Sequence, residues 1–192
     1  MAIERIMDYV INTFVVAGGM FIIITLIRKG YKSQVKNINE INRKEAALDL
    51  LIFYLLSLYQ ITAIRAGLSL SLEKLTSRNT RVNLEPFKLL WRWLLKGRWW
   101  LLFYNVAGNC IWFIPLGMLV PYLFQSKRKW WLVTGIGMLV STSIEILQYI
   151  LCTGVTDIDD IIFNALGTLI GYGMCKSGYS IKNRLFLKSR DI

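Results

Sequence analysis

The stretch WLLFYNVAGNCIWFIPLGMLVPYLFQSKRKWWLVTGIGMLVSTSIEILQYIL, residues 100–151, holds two long apolar runs parted by the basic triplet Lys127-Arg128-Lys129. A hydrocarbon core of about 30 Å is crossed by about 20 helical residues, so apolar runs of about 18 or more read as membrane spans. Trp100–Phe124 and Trp131–Leu151 therefore predict two membrane helices joined by a tight loop. Three further runs extend the pattern: Tyr9–Ile27, Ala47–Leu68 and Ile158–Cys175. The second of these has Asp49 at one end and Arg65 towards the other. The last is short, which implies local thinning, little tilt or buried placement. The expected fold class is an all-α integral membrane protein with about five transmembrane helices and one interfacial amphipathic helix in the second loop.

Composition agrees. The 192 residues fit one domain, with 55% apolar and only 18% charged residues. The net charge of +11 comes without a nucleic-acid motif, so it reads as membrane topology and contact with anionic lipid, and no nucleic acid is expected as partner. The chain has no histidine, which excludes His-based nucleophilic catalysis, HExxH metal hydrolysis and histidine phosphotransfer. Cys110, Cys152 and Cys175 are widely spaced with no CxxC, so neither a disulfide framework nor a zinc site is expected. Met1–Asp8 carries two acids and one base, and Tyr9–Ile27 runs straight into basic residues, which predicts a retained span rather than a cleaved signal peptide.

The Lys/Arg bias orients the bundle. The first loop (Arg28, Lys29, Lys32, Lys36, Arg43, Lys44), the third loop and the tail (Lys176, Lys182, Arg184, Lys188, Arg190) fall on one side of a five-span chain. The positive-inside rule makes that side cytoplasmic and places the N-terminus outside a multi-pass cell-membrane protein. The fourth loop, Cys152–Ile158, has no base and carries Asp157. The second loop, Gly67–Trp99, is predicted outside yet is rich in bases. Lys88, Arg92 and Lys96 recur every four residues, opposite Phe87, Leu90, Trp91, Leu94 and Leu95, with Trp93, Trp99 and Trp100 nearby. That is the pattern of a helix lying in the headgroup layer. It serves either as a membrane anchor or as a phosphate-recognition surface for a lipid-linked substrate.

Ionisable and amide groups inside spans are costly and each needs a reason. Ser141, Glu145 and Gln148 share one helix face. Glu145 fits a protonated structural carboxyl, a partner for Arg65 or Arg81, or an acid/base. Asn105 and Asn109 lie one turn apart, followed by Pro115, Gly117 and Pro121. Asparagines at this spacing serve first as inter-helix hydrogen-bonding groups. The run Thr156-Asp157-Ile158-Asp159-Asp160 fits a capping-box-like helix start, Thr156 with Asp159 or Asp157 with Asp160. Three acids in four residues exceed what a cap requires, so Asp157, Asp159 and Asp160 are candidates for a divalent-cation site or a catalytic carboxylate cluster. Asn164, Gly167 and Gly171 follow on one face, the glycines forming a GxxxG packing motif. With this topology Arg81, Asn105, Asn109, Glu145, Gln148, Asp157, Asp160 and Asn164 all map to the outer half of the bundle, as if lining a polar cavity open to the outside.

Three ordered motifs carry a resemblance. They are Val82-Asn83-Leu84-Glu85-Pro86-Phe87 after Arg81; Asn105-Val-Ala-Gly-Asn109 with Phe113-Ile-Pro115-Leu-Gly117; and Ser143-Ile-Glu145-Ile-Leu-Gln148 with Thr156-Asp157-Ile-Asp159-Asp160 and Asn164-Ala-Leu-Gly167 through Gly171. Across roughly Arg81–Gly173 the chain resembles the VanZ-like family. The resemblance implies a polytopic envelope protein of mainly Gram-positive bacteria, in a family whose founding member is associated with resistance to teicoplanin-type glycopeptides. Gly154-Val155 stand where family members often carry a basic residue. The expected organisation is an additional span and basic loop over 1–45, a VanZ-like transmembrane domain over 46–176 and a basic tail over 177–192.

Three functions compete. A non-enzymatic envelope protein would bind membrane lipids, anionic or lipid-linked cell-wall precursors among them, or control drug access at the outer leaflet. Its binding residues would be Arg81, Asn83, Asn105, Asn109, Gln148, Asn164, Lys88 and Arg92. A membrane-embedded enzyme acting on a lipid or peptidoglycan intermediate would use Glu145, Asp157 and Asp160 catalytically, with a divalent cation on the aspartates. A transporter would use intramembrane carboxylates as a proton relay, but the chain shows no repeat symmetry.

Overall fold

The computed structural model describes residues 2–33, 43–64, 82–124 and 129–188. Its elements are α1 (Ala2–Ser33), α2 (Arg43–Thr62), β1 (Val82–Asn83), α3 (Lys88–Leu95), α4 (Trp99–Leu123), α5 (Trp130–Leu151), β2 (Thr156–Asp157) and α6 (Ile158–Lys188). Among the described residues, four helices are long and apolar enough to cross a membrane, over Thr13–Gly30, Lys44–Thr62, Trp99–Leu123 and Trp130–Leu151. The expected fifth span falls in α6, which is not one of the four. Asp159 and Asp160 in its first turn, with Asn164 after them, dilute its apolar length. The helix also continues beyond Cys175 to Lys188.

The chain forms two compact units, Met1–Asn79 with Leu147–Gly154, and Thr80–Ile146 with Val155–Ile192. In the first, α1 packs on α2. The Phe21 ring meets Phe53 edge-on at 5.4 Å between centroids. The Arg28 guanidinium donates to the Asp49 carboxylate, so each charge has its counterion where apolar surroundings would penalise it alone. The predicted second span is shorter than expected: α2 ends at Thr62, a turn follows at Ala63, and residues 65–68 lie outside the described residues.

Side chains explain that end. The last carbonyls of a helix lack intrahelical donors. Here Gln148 Nε2 donates to the Thr62 carbonyl at 3.0 Å and Thr153 Oγ1 to the Ala63 carbonyl at 2.7 Å. Both donors are held by the tight turn that closes α5. Cys152 takes a left-handed conformation (φ 53°), the Thr153 amide donates to the Gln148 carbonyl at 3.1 Å, and the Cys152 amide to Tyr149 at 3.4 Å. This is a Schellman closure with cysteine in the place usually held by glycine.

In the second unit α4 packs on α6. Gly167 and Gly171 of α6 lie against the Cys110 and Ile114 carbonyls of α4, and Gly117 of α4 lies against the Thr168 carbonyl. A Cβ at any of the three would overlap backbone. Gly137 of α5 likewise leaves room for the Thr168 side chain. Small residues let membrane helices approach closely, where dispersion and short polar contacts replace the hydrophobic drive that lipid does not supply. Cys110 Sγ reaches the Phe163 carbonyl at 3.3 Å across this seam, and Phe113, Leu116 and Val120 share one buried face of α4.

Two short features position the polar residues. β1 and β2 pair in parallel, Val82 opposite Thr156 and Asn83 opposite Asp157. The amphipathic segment is a separate helix, α3, and does not run on into α4. Lys96 caps it, Gly97 turns left-handed (φ 64°), and the Gly97 and Arg98 amides close back onto the Leu94 and Trp93 carbonyls at 3.1 and 2.9 Å.

Gly167→Ala would therefore destabilise the second unit by about 1–3 kcal/mol through overpacking. Gly173→Ala, whose Cβ meets nothing within 4 Å, stays within about 0.5 kcal/mol. Thermal unfolding of the two purified variants in detergent checks the contrast.

Candidate functional site

The acidic run at the start of α6 is the centre of the site. Asp157 precedes the first helical residue and its Oδ1 accepts the Asp159 amide at 3.0 Å, so Asp157 is the N-cap. The same oxygen accepts Asn83 Nδ2 at 2.9 Å, which ties the β1 segment to the helix start. The Asp157 amide donates in turn to Glu145 Oε2 of α5 at 2.9 Å, and Thr156 Oγ1 donates to the Glu145 carbonyl at 3.3 Å. One residue thus joins three segments.

Its neighbours face elsewhere. Asp159 is 1% exposed and its Oδ1 accepts the Phe87 amide at 2.7 Å. Asp160 Oδ1 accepts Asn109 Nδ2 of α4 at 2.5 Å, and Asn109 also donates to Asn105 at 3.4 Å. One turn further along α6, Asn164 Nδ2 donates to Ser141 Oγ of α5 at 2.8 Å, and Thr168 Oγ1 donates to the Asn164 carbonyl at 2.9 Å. Glu145 itself is 3% exposed. Three carboxylates at one helix N-terminus suit the positive end of its dipole, and each holds a different piece of chain.

This geometry resolves the capping alternatives. Asp157 caps, and the Asp160 carboxylate turns to Asn109. Among the described residues no group of three acidic or thiol side chains is placed to hold a metal ion. Asn83, Asn105, Asn109, Glu145, Asp157, Asp160 and Asn164 are brought around the start of α6 in three hydrogen-bonded groups: Asn83 and Glu145 on Asp157, Asn105 and Asn109 on Asp160, and Asn164 on Ser141. Gln148 is not, because it belongs to the first unit and caps α2. Lys88 and Arg92 stand exposed on α3, with Lys88 Nζ on Glu85 Oε1 at 2.5 Å. Arg81 and Arg65, the partners that one of the three alternatives gave Glu145, lie outside the described residues.

Phe87 is the residue that side-chain reasoning passed over. It contributes its backbone amide, not a titratable group. Its φ of 62° is left-handed, a conformation costing a bulky residue about 1–2 kcal/mol. The bond to Asp159 and an edge-on contact with the Phe163 ring, centroids 6.4 Å apart, hold it there. The only sequence signal was its place after Glu85-Pro86, at the close of the first motif. Two acceptors stay open: Asp159 Oδ2 and Asn164 Oδ1 are buried with no partner among the described residues.

Four membrane-length apolar helices and a buried, hydrogen-bonded cluster of carboxylates and amides define a polytopic helical membrane protein. The VanZ/LLP1 family matches residues 51–182, and the chain belongs to it. No curated protein and no solved structure matches the chain. The matched range contains every residue of the cluster.

The Asn83–Asp157 contact is testable by a double-mutant cycle. Asp157→Ala loses a helix cap and an inter-segment bond and costs about 1–3 kcal/mol, whereas Asp157→Asn keeps an acceptor and costs less. Asn83→Ala and Asp157→Ala couple by at least about 0.5 kcal/mol when unfolding in detergent is compared across the four proteins.

Proposed function

We propose that this VanZ/LLP1 protein acts at the outer leaflet of the cell membrane, on a lipid-linked cell-wall precursor or on the access of teicoplanin-type glycopeptides to it. In this reading α6 supplies the fifth span, the N-terminus lies outside and the C-terminus is cytoplasmic, as the Lys/Arg distribution requires. α3 lies in the headgroup layer. Asn83, Asn105, Asn109 and Asn164 orient the polar face of the site, and Glu145, Asp157 and Asp160 set its charge.

The observation that carries the reading is the Phe87–Asp159 bond. It fastens the N-terminal end of the amphipathic helix α3 directly to the buried carboxylate cluster. A contact made at the headgroups by α3 is thereby transmitted to the polar residues beneath it. Membership of the family supports the envelope setting.

A membrane-embedded enzyme using Glu145, Asp157 and Asp160 as acid and base is the second reading, favoured by the density of carboxylates. Against it, Glu145, Asp157, Asp159 and Asp160 each already accept a hydrogen bond from the protein. Such groups are built into the scaffold more than they are free to exchange protons with a substrate.

Expression in a sensitive Gram-positive host, assayed against teicoplanin and vancomycin side by side, tests the proposal. The expected result is protection against teicoplanin alone, lost in Glu145→Gln at equal membrane abundance. Equal susceptibility with and without the protein would overturn it.

A further inference from the structure

α3 carries a surface whose chemistry can be read directly. Three linking residues, Lys96 to Arg98, connect it to Trp99, the first residue of a helix long and apolar enough to cross the membrane. At no more than about 3.6 Å per residue the link confines α3 to the level at which α4 enters the bilayer. Leu89, Leu90, Trp93 and Leu94 are half-buried and form its inner side. The outer side has two edges. Trp91 and Leu95, 62% and 71% exposed, make one; Lys88, Arg92 and Lys96 make the other, which Arg98 extends past the turn.

The bases are not equivalent. Lys88 is neutralised by Glu85. Arg92, Lys96 and Arg98 form no ion pair among the described residues. Water would leave the Trp91, Leu95, Trp99 and Trp100 surface exposed as one apolar patch. Hydrocarbon would strip Arg92, Lys96 and Arg98 of solvent without a counterion. The headgroup layer alone satisfies both edges, and the anion it offers is phosphate, which a guanidinium can bind through two parallel N–H donors.

We infer that Arg92, Lys96 and Arg98 form a phosphate-binding edge for the anionic lipid headgroups of the surrounding bilayer, with Trp91 and Leu95 as the edge that enters the acyl region. This rests on the headgroup placement of α3 proposed above and adds the chemistry of its ligand. The charge complementarity is local: three unpaired cations within one short helix and its closing turn, against one Lys–Glu pair that contributes no net charge.

Amide hydrogen exchange of α3 tests this in the full-length protein, reconstituted in nanodiscs of phosphatidylcholine alone or with about one-third phosphatidylglycerol. The expected result is exchange over Leu89–Leu95 several-fold slower with the anionic lipid. That gain should shrink in Arg92→Gln and in Lys96→Gln, vanish in the double variant, and collapse at about 1 M salt. Lys88→Gln should change it less. Equal exchange in both lipids would mean apolar anchoring only and would overturn the inference, as would a gain that survives the double variant. Slowing by a trace of lipid pyrophosphate but not by phosphatidylglycerol would overturn it in favour of a dedicated precursor site. The exchange signal is independent of drug susceptibility, so either proposal can fail while the other stands.

Discussion

The Asp157 carboxylate is the constraint on which the second unit turns. It caps α6 and accepts from Asn83 through one oxygen, while its own amide is anchored on Glu145. In a bilayer, backbone ends and polar side chains find few water molecules to bond, so each must be satisfied by protein. A helix that begins with three acids, two of them buried, keeps that geometry only if those acids have fixed donors. Here the donors come from β1, from the turn before α3 and from α4, so satisfying the helix start also gathers the three motif segments into one place.

Close approach of the helices is the second requirement, and it is steric. Gly117, Gly137, Gly167 and Gly171 remove the side chains that would hold α4, α5 and α6 apart. Hydrogen bonds as short as Asn164 to Ser141 form only because the backbones stand that near. The glycines and the amides are therefore one device. Neither the packing seam nor the polar cluster would hold its geometry without the other.

The functional reading follows from a division of labour between inside and outside. The carboxylates point inward and are consumed in holding chain segments together. The unpaired cations Arg92, Lys96 and Arg98 stand exposed on an eight-residue helix with an aromatic edge and on the turn that closes it. Phe87 connects the two through a strained, left-handed backbone held by Asp159 and the Phe163 ring.

Much of this was legible in the order of residues. Long apolar runs can be satisfied only as helices in lipid, so α1, α2, α4 and α5 were readable from length and composition alone. The spacing of Lys88, Arg92 and Lys96 marked α3, and the Asp-rich run marked a helix start. The sequence also placed Ser141, Glu145 and Gln148 on one face of α5, as an intrinsic property of helical periodicity. Only the tertiary structure decided that these three serve separate partners: Asn164, the Asp157 amide and the end of α2. It likewise decided that Asp157 caps, that Asp160 turns to Asn109, and that a phenylalanine amide completes the set. Helical period is local and is written into consecutive residues. Which donor meets which acceptor depends on how closely distant segments approach, and that distance is set by packing.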